Sequence, residues 1–166
     1  MSKAIFCDWD GVLITVGSMI YNNRMKLLGL SSIPSDQAFC PIASSNLEYI
    51  LEECPDVFVV VSSTWRKGKT LKSLQKMFKM NHILADRMIG TTPEIKGEYR
   101  GAEIEAYLKE HPEVTDFAII DDENDMDPYM DRLVQTDSRN GLTFSDAERV
   151  IELLGGKSEE KDDQEN

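Results

Sequence analysis

The sequence has no long apolar run, and it is poor in two residue types that often carry chemistry. Its 166 residues include three cysteines and two histidines. Crossing a bilayer takes roughly 20 consecutive apolar residues, and no stretch of the chain approaches that length. The sequence therefore predicts a protein without a membrane-spanning helix.

The three cysteines, Cys7, Cys40 and Cys54, are an odd number and show no Cys-x-x-Cys spacing. Neither a disulfide framework nor a zinc site is indicated, and we expect buried free thiols. Residues 1–3 lead directly into a strand-like segment where a secreted protein would carry a signal peptide. These features predict a cytoplasmic location.

Two common catalytic motifs are also missing. The chain contains no Gly-x-Ser-x-Gly elbow and no Gly-x-x-x-x-Gly-Lys-Ser/Thr loop. His82 and His111 have no matched nucleophile or metal-ligand spacing. The sequence gives no support for a Ser-His-Asp hydrolase or for a kinase of the P-loop type.

Positive charge is scarce, because 18 basic residues face 30 acidic ones and the net charge is −12. Residues 157–166 carry five acids and two lysines, which leaves −9 on the remainder. This field repels polyanions, so any nucleic-acid contact should be local and sensitive to salt. We expect one domain over residues 1–156 and a disordered acidic tail over residues 157–166.

Short apolar runs alternate with amphipathic stretches along the chain. Runs at residues 4–7, 57–61 and 117–120 have the character of parallel strands that are buried on both faces, and a weaker run covers residues 133–134. The spacing predicts helices near residues 71–78 and 101–110, and Pro112 should end the second. Residues 19–30 fit a short helix, and residues 31–36 fit a loop.

Two further helices have recognisable starts. Residues 45–48 and 145–148 both have capping-box spacing, and Gly155 stands where a helix C-cap is expected. The resulting β-α-β-α-β pattern predicts an α/β fold with a mainly parallel sheet and helices on both faces. In such folds the ligand crevice lies at the carboxyl ends of the central strands.

Each predicted strand ends in a polar cluster, at residues 8–10, 62–66 and 121–125. Taken alone, Asp8 and Asp10 fit a solvated turn as well as a site. Two carboxylates that converge at a strand tip need a proton or a cation between them. Mg²⁺ suits such a site, because it prefers oxygen ligands and is commonly shared with a phosphate.

The ordered clusters resemble the haloacid dehalogenase (HAD) superfamily of phosphohydrolases. That superfamily carries Asp-x-Asp after strand one, Ser or Thr after strand two, a Lys or Arg, and a late acidic pair. Matches to this order span residues 4–122. Residues 61–66, 100–104, 120–122 and 141–143 are similar to the HAD branch of RNA-repair and polynucleotide-end-processing proteins. The resemblance implies a three-layer Rossmann-like fold.

The resemblance also implies roles for individual residues. Asp8 would be the nucleophile that forms an aspartyl-phosphate, and Asp10 would be the general acid and base, with its backbone carbonyl facing the metal. Asp121 would complete the Mg²⁺ site with Asp8, and Asp122 would either orient a water on the metal or serve as a second ligand. Ser62 would donate a hydrogen bond to the transferring phosphoryl group.

The basic residue of the family has two candidates here, Lys96 and Arg100. The Arg-Gly-x-Glu-Ile pattern favours Arg100, and Arg66 could add a bidentate contact to the substrate phosphate. Trp9 replaces a smaller aliphatic residue and is expected to alter the entrance to the site. Trp65 is more often a core or rim aromatic than a base-stacking one.

These inferences predict a Mg²⁺-dependent phosphatase. Only about fifty residues separate Asp10 from Ser62, so a large cap domain cannot fit there, and an open site suits a phosphorylated nucleic-acid end or a nucleotide. A phosphoprotein, a small metabolite or phosphotransfer to an acceptor other than water remain alternatives. The intact Asp8 and Asp10 disfavour a non-catalytic binding module. The acidic pair Asp121 and Asp122 disfavours dehalogenation, which needs no Mg²⁺. No stable protein partner is inferred.

Overall fold

The computed structural model describes residues 2–34 and 37–156. Within them lies a five-stranded sheet, formed by β1 (Ser2–Cys7), β2 (Val57–Val61), β3 (Met88–Thr91), β4 (Val114–Asp121) and β5 (Leu133–Gln135). The spatial order is β3-β2-β1-β4-β5, and every neighbouring pair is parallel. The parallel α/β fold predicted from the sequence is confirmed.

Five α-helices accompany this sheet in the described ranges, and the last of them follows β5. They are α1 (Val16–Leu27), α2 (Pro41–Glu53), α3 (Leu71–Met80), α4 (Arg100–Glu110) and α5 (Phe144–Leu153). Single turns of 3-10 helix cover Thr64–Arg66, Ala85–Arg87 and Met130–Arg132. Between β1 and β2 the described residues form only α1, α2 and their connections, which leaves no place there for a large cap.

The sheet carries a separate hydrophobic cluster on each face, which explains the uninterrupted apolar runs of β1, β2 and β4. On one face α2, α3 and α5 contribute residues such as Leu47, Phe78 and Val150. On the other face α4 contributes Ile104 and Tyr107. Helices therefore cover both faces in three layers, as predicted.

Two helix starts differ from the sequence-based expectation. α2 begins at Pro41 after Cys40, four residues before the capping-box spacing at 45–48. α5 is capped by Thr143, whose side chain accepts a hydrogen bond from the Asp146 backbone N–H in a capping box. Proline at the first helical position needs no N–H partner, which allows the earlier start of α2. Gly155 adopts a positive φ after α5, as expected for a helix end.

The sequence interpretation missed β3 and placed α1 three residues late. β3 is short, and only its first residue, Met88, is fully buried, so it lacks a strong apolar run. Residues 35 and 36 of the predicted loop, and the predicted tail at residues 157–166, lie outside the described residues. Among the helices described, none is long and apolar enough to cross a membrane.

Candidate active site

Three carboxylates meet at the carboxyl ends of β1 and β4. Asp8 directly follows β1, Asp121 ends β4, and Asp122 follows it. The Asp8 backbone N–H donates to the carbonyl of Ile120 at 2.9 Å, which continues the β1–β4 pairing. One carboxylate oxygen from each of the three aspartates lies within 4.8 Å of the other two. We call these three residues the carboxylate cluster.

Gly11 allows the loop after β1 to close against this cluster. Its φ is +72°, and a Cβ atom at this position would lie closer than 3.0 Å to the Asp122 side chain. Thr136 holds the same loop from the β5 side, because its hydroxyl donates to the Gly11 carbonyl at 2.9 Å. The glycine is therefore required both by the backbone conformation and by the approach of Asp122.

Asp121 is the most strongly desolvated acid of the cluster, with no exposed surface. Its Oδ1 accepts a hydrogen bond from the Glu123 backbone N–H at 3.0 Å. Its buried Oδ2 has no hydrogen-bond partner among the described residues. Burial, followed by the nearby charge of Asp8, raises the pKa of Asp121 to about 8.

Asp8 is also buried, but more donors face it. Its Oδ1 accepts the Trp9 backbone N–H at 2.7 Å, and the Ser63 side chain hydrogen-bonds the same carboxylate. Burial raises the pKa of Asp8, while the Ser63 hydrogen bond and the charge of Arg100 oppose that rise. A carboxylate held by fixed donors is oriented for attack on a substrate.

Arg100, at the start of α4, points its guanidinium at the carboxylate cluster. Its Nε lies 3.5 Å from Asp121 Oδ2, and its Nη2 lies 3.9 Å from Asp8 Oδ2. Lys96 is exposed on the loop before α4 and has no ion pair or hydrogen bond with any residue in the described part of the chain. Of the two basic candidates, the structure brings Arg100 to the acids.

The start of α4 is held in place by backbone packing. The Gly101 N–H donates to the Asp125 carbonyl at 3.0 Å, and the Arg100 N–H donates to Asp125 Oδ2 at 3.2 Å. A Cβ atom on Gly101 would lie closer than 3.0 Å to the backbone of Met126 and Asp127. This close approach positions Arg100, and it gives Asp125 a role at the helix start outside the carboxylate cluster.

The two serines after β2 differ in their contacts. Ser62, the predicted phosphate donor, is buried, and its Oγ has no hydrogen-bond partner among the residues described. Ser63 is the serine that contacts Asp8, and it also caps the turn at Thr64–Arg66 by accepting the Trp65 N–H. The sequence did not indicate Ser63 as a partner of Asp8.

Arg66 faces the protein interior and not a substrate. Its guanidinium donates to the carbonyls of Thr92, Ser63 and Pro93 at 2.9, 2.7 and 3.1 Å, and to Glu103 Oε2 at 2.6 Å. All three nitrogens thus have protein acceptors, so the arrangement favours a positioning role for Arg66 over the expected contact with phosphate. Glu103, which the sequence interpretation left without a role, joins this network to Arg100 at 4.0 Å.

Asp10 is exposed at the rim of the site and does not contribute a carboxylate oxygen to the cluster. The Trp65 indole N–H donates to Asp10 Oδ1 at 3.0 Å. This contact links the loop after β1 to the turn after β2, and nothing in the spacing of the sequence indicated it. The predicted contribution of the Asp10 backbone carbonyl to the metal stays a prediction.

Trp9 lies in the core and not at the entrance, which corrects the expectation from the sequence. Its side chain has no exposed surface. It packs against Phe39, Phe78 and Trp65, with ring centroids 5.1, 5.8 and 6.0 Å away. Asp8 and Asp10 thus flank a buried anchor, and of the two only Asp8 contributes an oxygen to the carboxylate cluster.

The carboxylate cluster fits a hard divalent cation. It offers three oxygen ligands from aspartates, which is the donor set that Mg²⁺ prefers. The Asp121 Oδ2 points to the same conclusion, because this buried oxygen accepts no hydrogen bond among the described residues and has only the Arg100 guanidinium, at 3.5 Å, to offset its charge. Asp8, Asp121 and Asp122 are the residues that would hold the ion.

Comparison with known proteins identifies the family. Residues 4–147 match the family described as "HAD domain in Swiss Army Knife RNA repair proteins". The chain belongs to this family, which confirms the resemblance to the RNA-repair branch of the HAD superfamily. A haloacid dehalogenase-like hydrolase from Streptococcus pneumoniae has a similar structure, with 17% identity, coverage of 72% of this chain and 75% of that chain, and a TM-score of 0.41. No curated protein matches the chain.

Proposed function

We propose that this protein is a Mg²⁺-dependent phosphatase that hydrolyses phosphomonoesters through an aspartyl-phosphate on Asp8. The observation that carries the proposal is the position of Arg100 beside the carboxylate cluster. A phosphate that approaches Asp8 from the open side would meet a fixed guanidinium, which forms strong hydrogen bonds with phosphate oxygens.

In the first step an Asp8 carboxylate oxygen attacks phosphorus. The bond between phosphorus and the leaving oxygen breaks as the new bond forms, and Asp10 gives its proton to the departing oxygen. Ser63 and the Trp9 N–H hold the Asp8 carboxylate in one orientation. Trp65 holds the Asp10 carboxylate at the rim, where a leaving group can reach it.

In the second step a water molecule attacks phosphorus of the aspartyl-phosphate. Asp10, now ionised, removes a proton from that water, and the bond between phosphorus and the Asp8 oxygen breaks. Inorganic phosphate leaves, and the Asp8 carboxylate and protonated Asp10 are restored. One residue thus serves as acid and then as base, which suits an exposed carboxyl group that can exchange protons with solvent.

Arg100 supplies positive charge throughout both steps. Its guanidinium lies within 4 Å of Asp8 and Asp121, so it would offset the repulsion between the Asp8 carboxylate and an incoming phosphate. Mg²⁺ held by the carboxylate cluster would supply further charge neutralisation for nucleophile and phosphate. The Arg66–Glu103 pair fixes the surroundings of Arg100 and Ser63 without touching the substrate.

We infer that the substrate is a phosphorylated nucleic-acid end or a nucleotide. The family description, which places this type of HAD domain in RNA-repair proteins, supports this inference. The exposure of Asp10 supports it as well, because the leaving oxygen of a large substrate needs access from solvent. The three cysteines are free thiols, in keeping with the cytoplasmic location that we propose.

The test is release of inorganic phosphate from an aryl phosphate, from nucleotides and from oligonucleotides phosphorylated at the 3′ or 5′ end. Each substrate is assayed with Mg²⁺ and with a chelator, for the natural protein and for Asp8→Asn. We expect Mg²⁺-dependent release that Asp8→Asn lowers by about 10⁴-fold or more, as for loss of other covalent nucleophiles. The substitution changes side-chain volume little, so circular dichroism and melting should show a folded variant.

Phosphate release that survives in folded Asp8→Asn would contradict Asp8 as the nucleophile. Absence of release from every substrate, with a folded protein that still binds Mg²⁺, would contradict the phosphatase and favour a binding module.

A further inference from the structure

Positive charge is concentrated in one part of this acidic chain. Residues 57–85 contain no aspartate or glutamate, although the whole sequence has 30. The same stretch contains six of the 18 basic residues, namely Arg66, Lys67, Lys69, Lys72, Lys76 and Lys79. This stretch runs from β2 through α3, and all its basic residues follow the carboxyl end of β2, where Ser63 lies.

The lysines of this stretch are exposed, in contrast to the buried Arg66. Lys67 forms an ion pair with Glu94 at 3.0 Å. Lys69, Lys72, Lys76 and Lys79 form no ion pair with an acid in the described part of the chain. Four unneutralised cations on one segment make a local positive surface on a protein whose overall field is negative.

A groove of about 650 Å³ lies along this surface. We call it the α3 groove, and it is lined in part by Trp65, Lys69, Thr70, Ser73, Lys76 and Met77. None of its described lining residues is acidic. Its walls therefore offer two cations, two hydroxyl groups and one aromatic ring to a ligand.

The α3 groove is joined to the candidate active site by Trp65. The ring of Trp65 lines the groove, while its indole N–H donates to Asp10 at 3.0 Å. Lys69 lies over the same ring, with Nζ 5.0 Å from its centroid. A ligand that occupies the groove would thus reach the rim of the site at the residue proposed as general acid.

We propose that the α3 groove binds a single-stranded polynucleotide whose phosphorylated end lies at Asp8. Lys76 would contact a backbone phosphate, and Lys69 would move from its place over the Trp65 ring to a second phosphate, which would leave the exposed part of the half-buried ring to a base. Cations combined with an aromatic platform are the chemistry by which single strands bind without sequence readout. An acidic peptide would use the cations but would leave the aromatic surface without a stacking partner. The inference rests on the proposed function for the position of the phosphate.

The test compares two double variants that lose the same charge. Lys69→Gln/Lys76→Gln changes the groove, and Lys26→Gln/Lys109→Gln changes two exposed lysines on α1 and α4. Both are made in the Asp8→Asn background, so that the strand is not hydrolysed. Binding of a fluorescent single strand of about ten nucleotides, phosphorylated at the 3′ or the 5′ end, is followed by anisotropy over a salt series.

We expect the groove variant to bind about tenfold or more weakly at low salt than the control variant. The slope of log K against log salt should become about 1.4 units shallower, or about 0.7 for each lost lysine contact. In the active background, the ratio of kcat/KM for the oligonucleotide to kcat/KM for an aryl phosphate should fall about tenfold in the groove variant. The control should keep the natural ratio.

If the groove variant and the control variant bind the strand with equal affinity and equal salt slope, the α3 groove is not the binding site. Turnover of the aryl phosphate in that case would still support the proposed phosphatase. If a polyglutamate peptide displaces the strand at an equal concentration of charge, the proposal that the groove binds a polynucleotide in preference to an acidic peptide is contradicted. A third outcome separates the two proposals. If no substrate releases phosphate, and the groove variant loses strand binding while the control variant keeps it, the phosphatase proposal is contradicted and the groove proposal is supported.

Discussion

At the scale of single residues, the burial of Asp121 lowers the stability of the metal-free fold, and the same residue would hold the proposed metal ion. Its Oδ2 is buried without a hydrogen-bond partner in the described structure, and a buried charge in this state costs about 1–3 kcal/mol or more. We expect Asp121→Asn to stabilise the metal-free protein by about 1–3 kcal/mol and to abolish stabilisation by Mg²⁺. Melting with a chelator and with added Mg²⁺ measures both effects.

The exposed Asp131 supplies the matched control, because Asp131→Asn removes the same charge outside the site. The pKa of Asp121 rises from its ordinary 3.8 to about 8 in the fold, so the folded protein binds more protons than the unfolded chain between these values. Stability of the metal-free protein should therefore fall as pH rises from about 4 to 8. Asp121→Asn should flatten this fall, and a lower melting temperature with an unchanged pH slope would contradict the assignment.

Arg100 and Lys96 provide a direct comparison between two cations that the sequence could not separate. Arg100→Gln should lower kcat/KM for an aryl phosphate by about 10²–10³-fold, because it removes fixed positive charge beside Asp8. Lys96→Gln removes an exposed cation without a described partner and should change the rate less than about twofold. A larger loss in Lys96→Gln would show that the loop before α4 moves to the substrate during catalysis.

The sequence predicted the three clustered carboxylates because parallel strands bring their carboxyl ends to one edge. It could not predict Trp65 as the partner of Asp10, or Glu103 as the partner of Arg66. These contacts depend on the conformations of a 3-10 turn and of the loop before α4, which have no repeating pattern in sequence. For the same reason Arg66 resembled a free phosphate ligand although its donors point inward.

At the scale of elements, Gly101 determines how closely the first turn of α4 packs against residues 125–127, and this packing positions Arg100 in the candidate active site. Alanine would favour the helix by up to about 1 kcal/mol, but its Cβ would overlap the backbone of Met126 and Asp127. Overpacking against a backbone costs about 1–3 kcal/mol, so Gly101→Ala should destabilise the protein by about 1–2 kcal/mol. Because α4 must then shift, activity should fall about tenfold or more, since misplacement of Arg100 weakens catalysis.

Lys109→Ala, on the exposed last turn of α4, is the control for a change in helix composition. Chemical denaturation and kcat of a folded sample at low temperature separate the two effects. A stable, fully active Gly101→Ala protein would show that the close approach to Asp127 does not position Arg100.

Element types followed from the sequence more readily than element boundaries. The apolar runs of β1, β2 and β4 were sufficient because both faces of these strands are buried. The start of α2 was misplaced because capping-box spacing occurs at residues 45–48 inside the helix, while Pro41 provides the actual first residue. β3 escaped detection because a four-residue, partly exposed edge strand carries little periodicity.

At the scale of the whole molecule, the fold places the carboxylate cluster and the positively charged lysines of residues 57–85 in different parts of the structure. The parallel sheet brings the acids of β1 and β4 together at its carboxyl edge, while the segment from β2 to α3 carries four lysines that form no ion pair with a described acid. An acidic protein of net charge −12 would repel a polynucleotide over most of its surface. We therefore expect approach to be most favourable along the α3 groove, whose Trp65 also contacts Asp10 at the rim of the site.

The central claim is that phosphate passes through a covalent bond to Asp8, and acid quenching during turnover of a labelled aryl phosphate tests it most directly. We expect acid-stable, hydroxylamine-labile label on the peptide that contains Asp8, with none in Asp8→Asn. Asp10→Asn should accumulate more label than the natural protein, because an aryl leaving group needs little acid catalysis whereas water needs the base. Phosphate release without any protein-bound label, in both the natural protein and Asp10→Asn, would contradict the account.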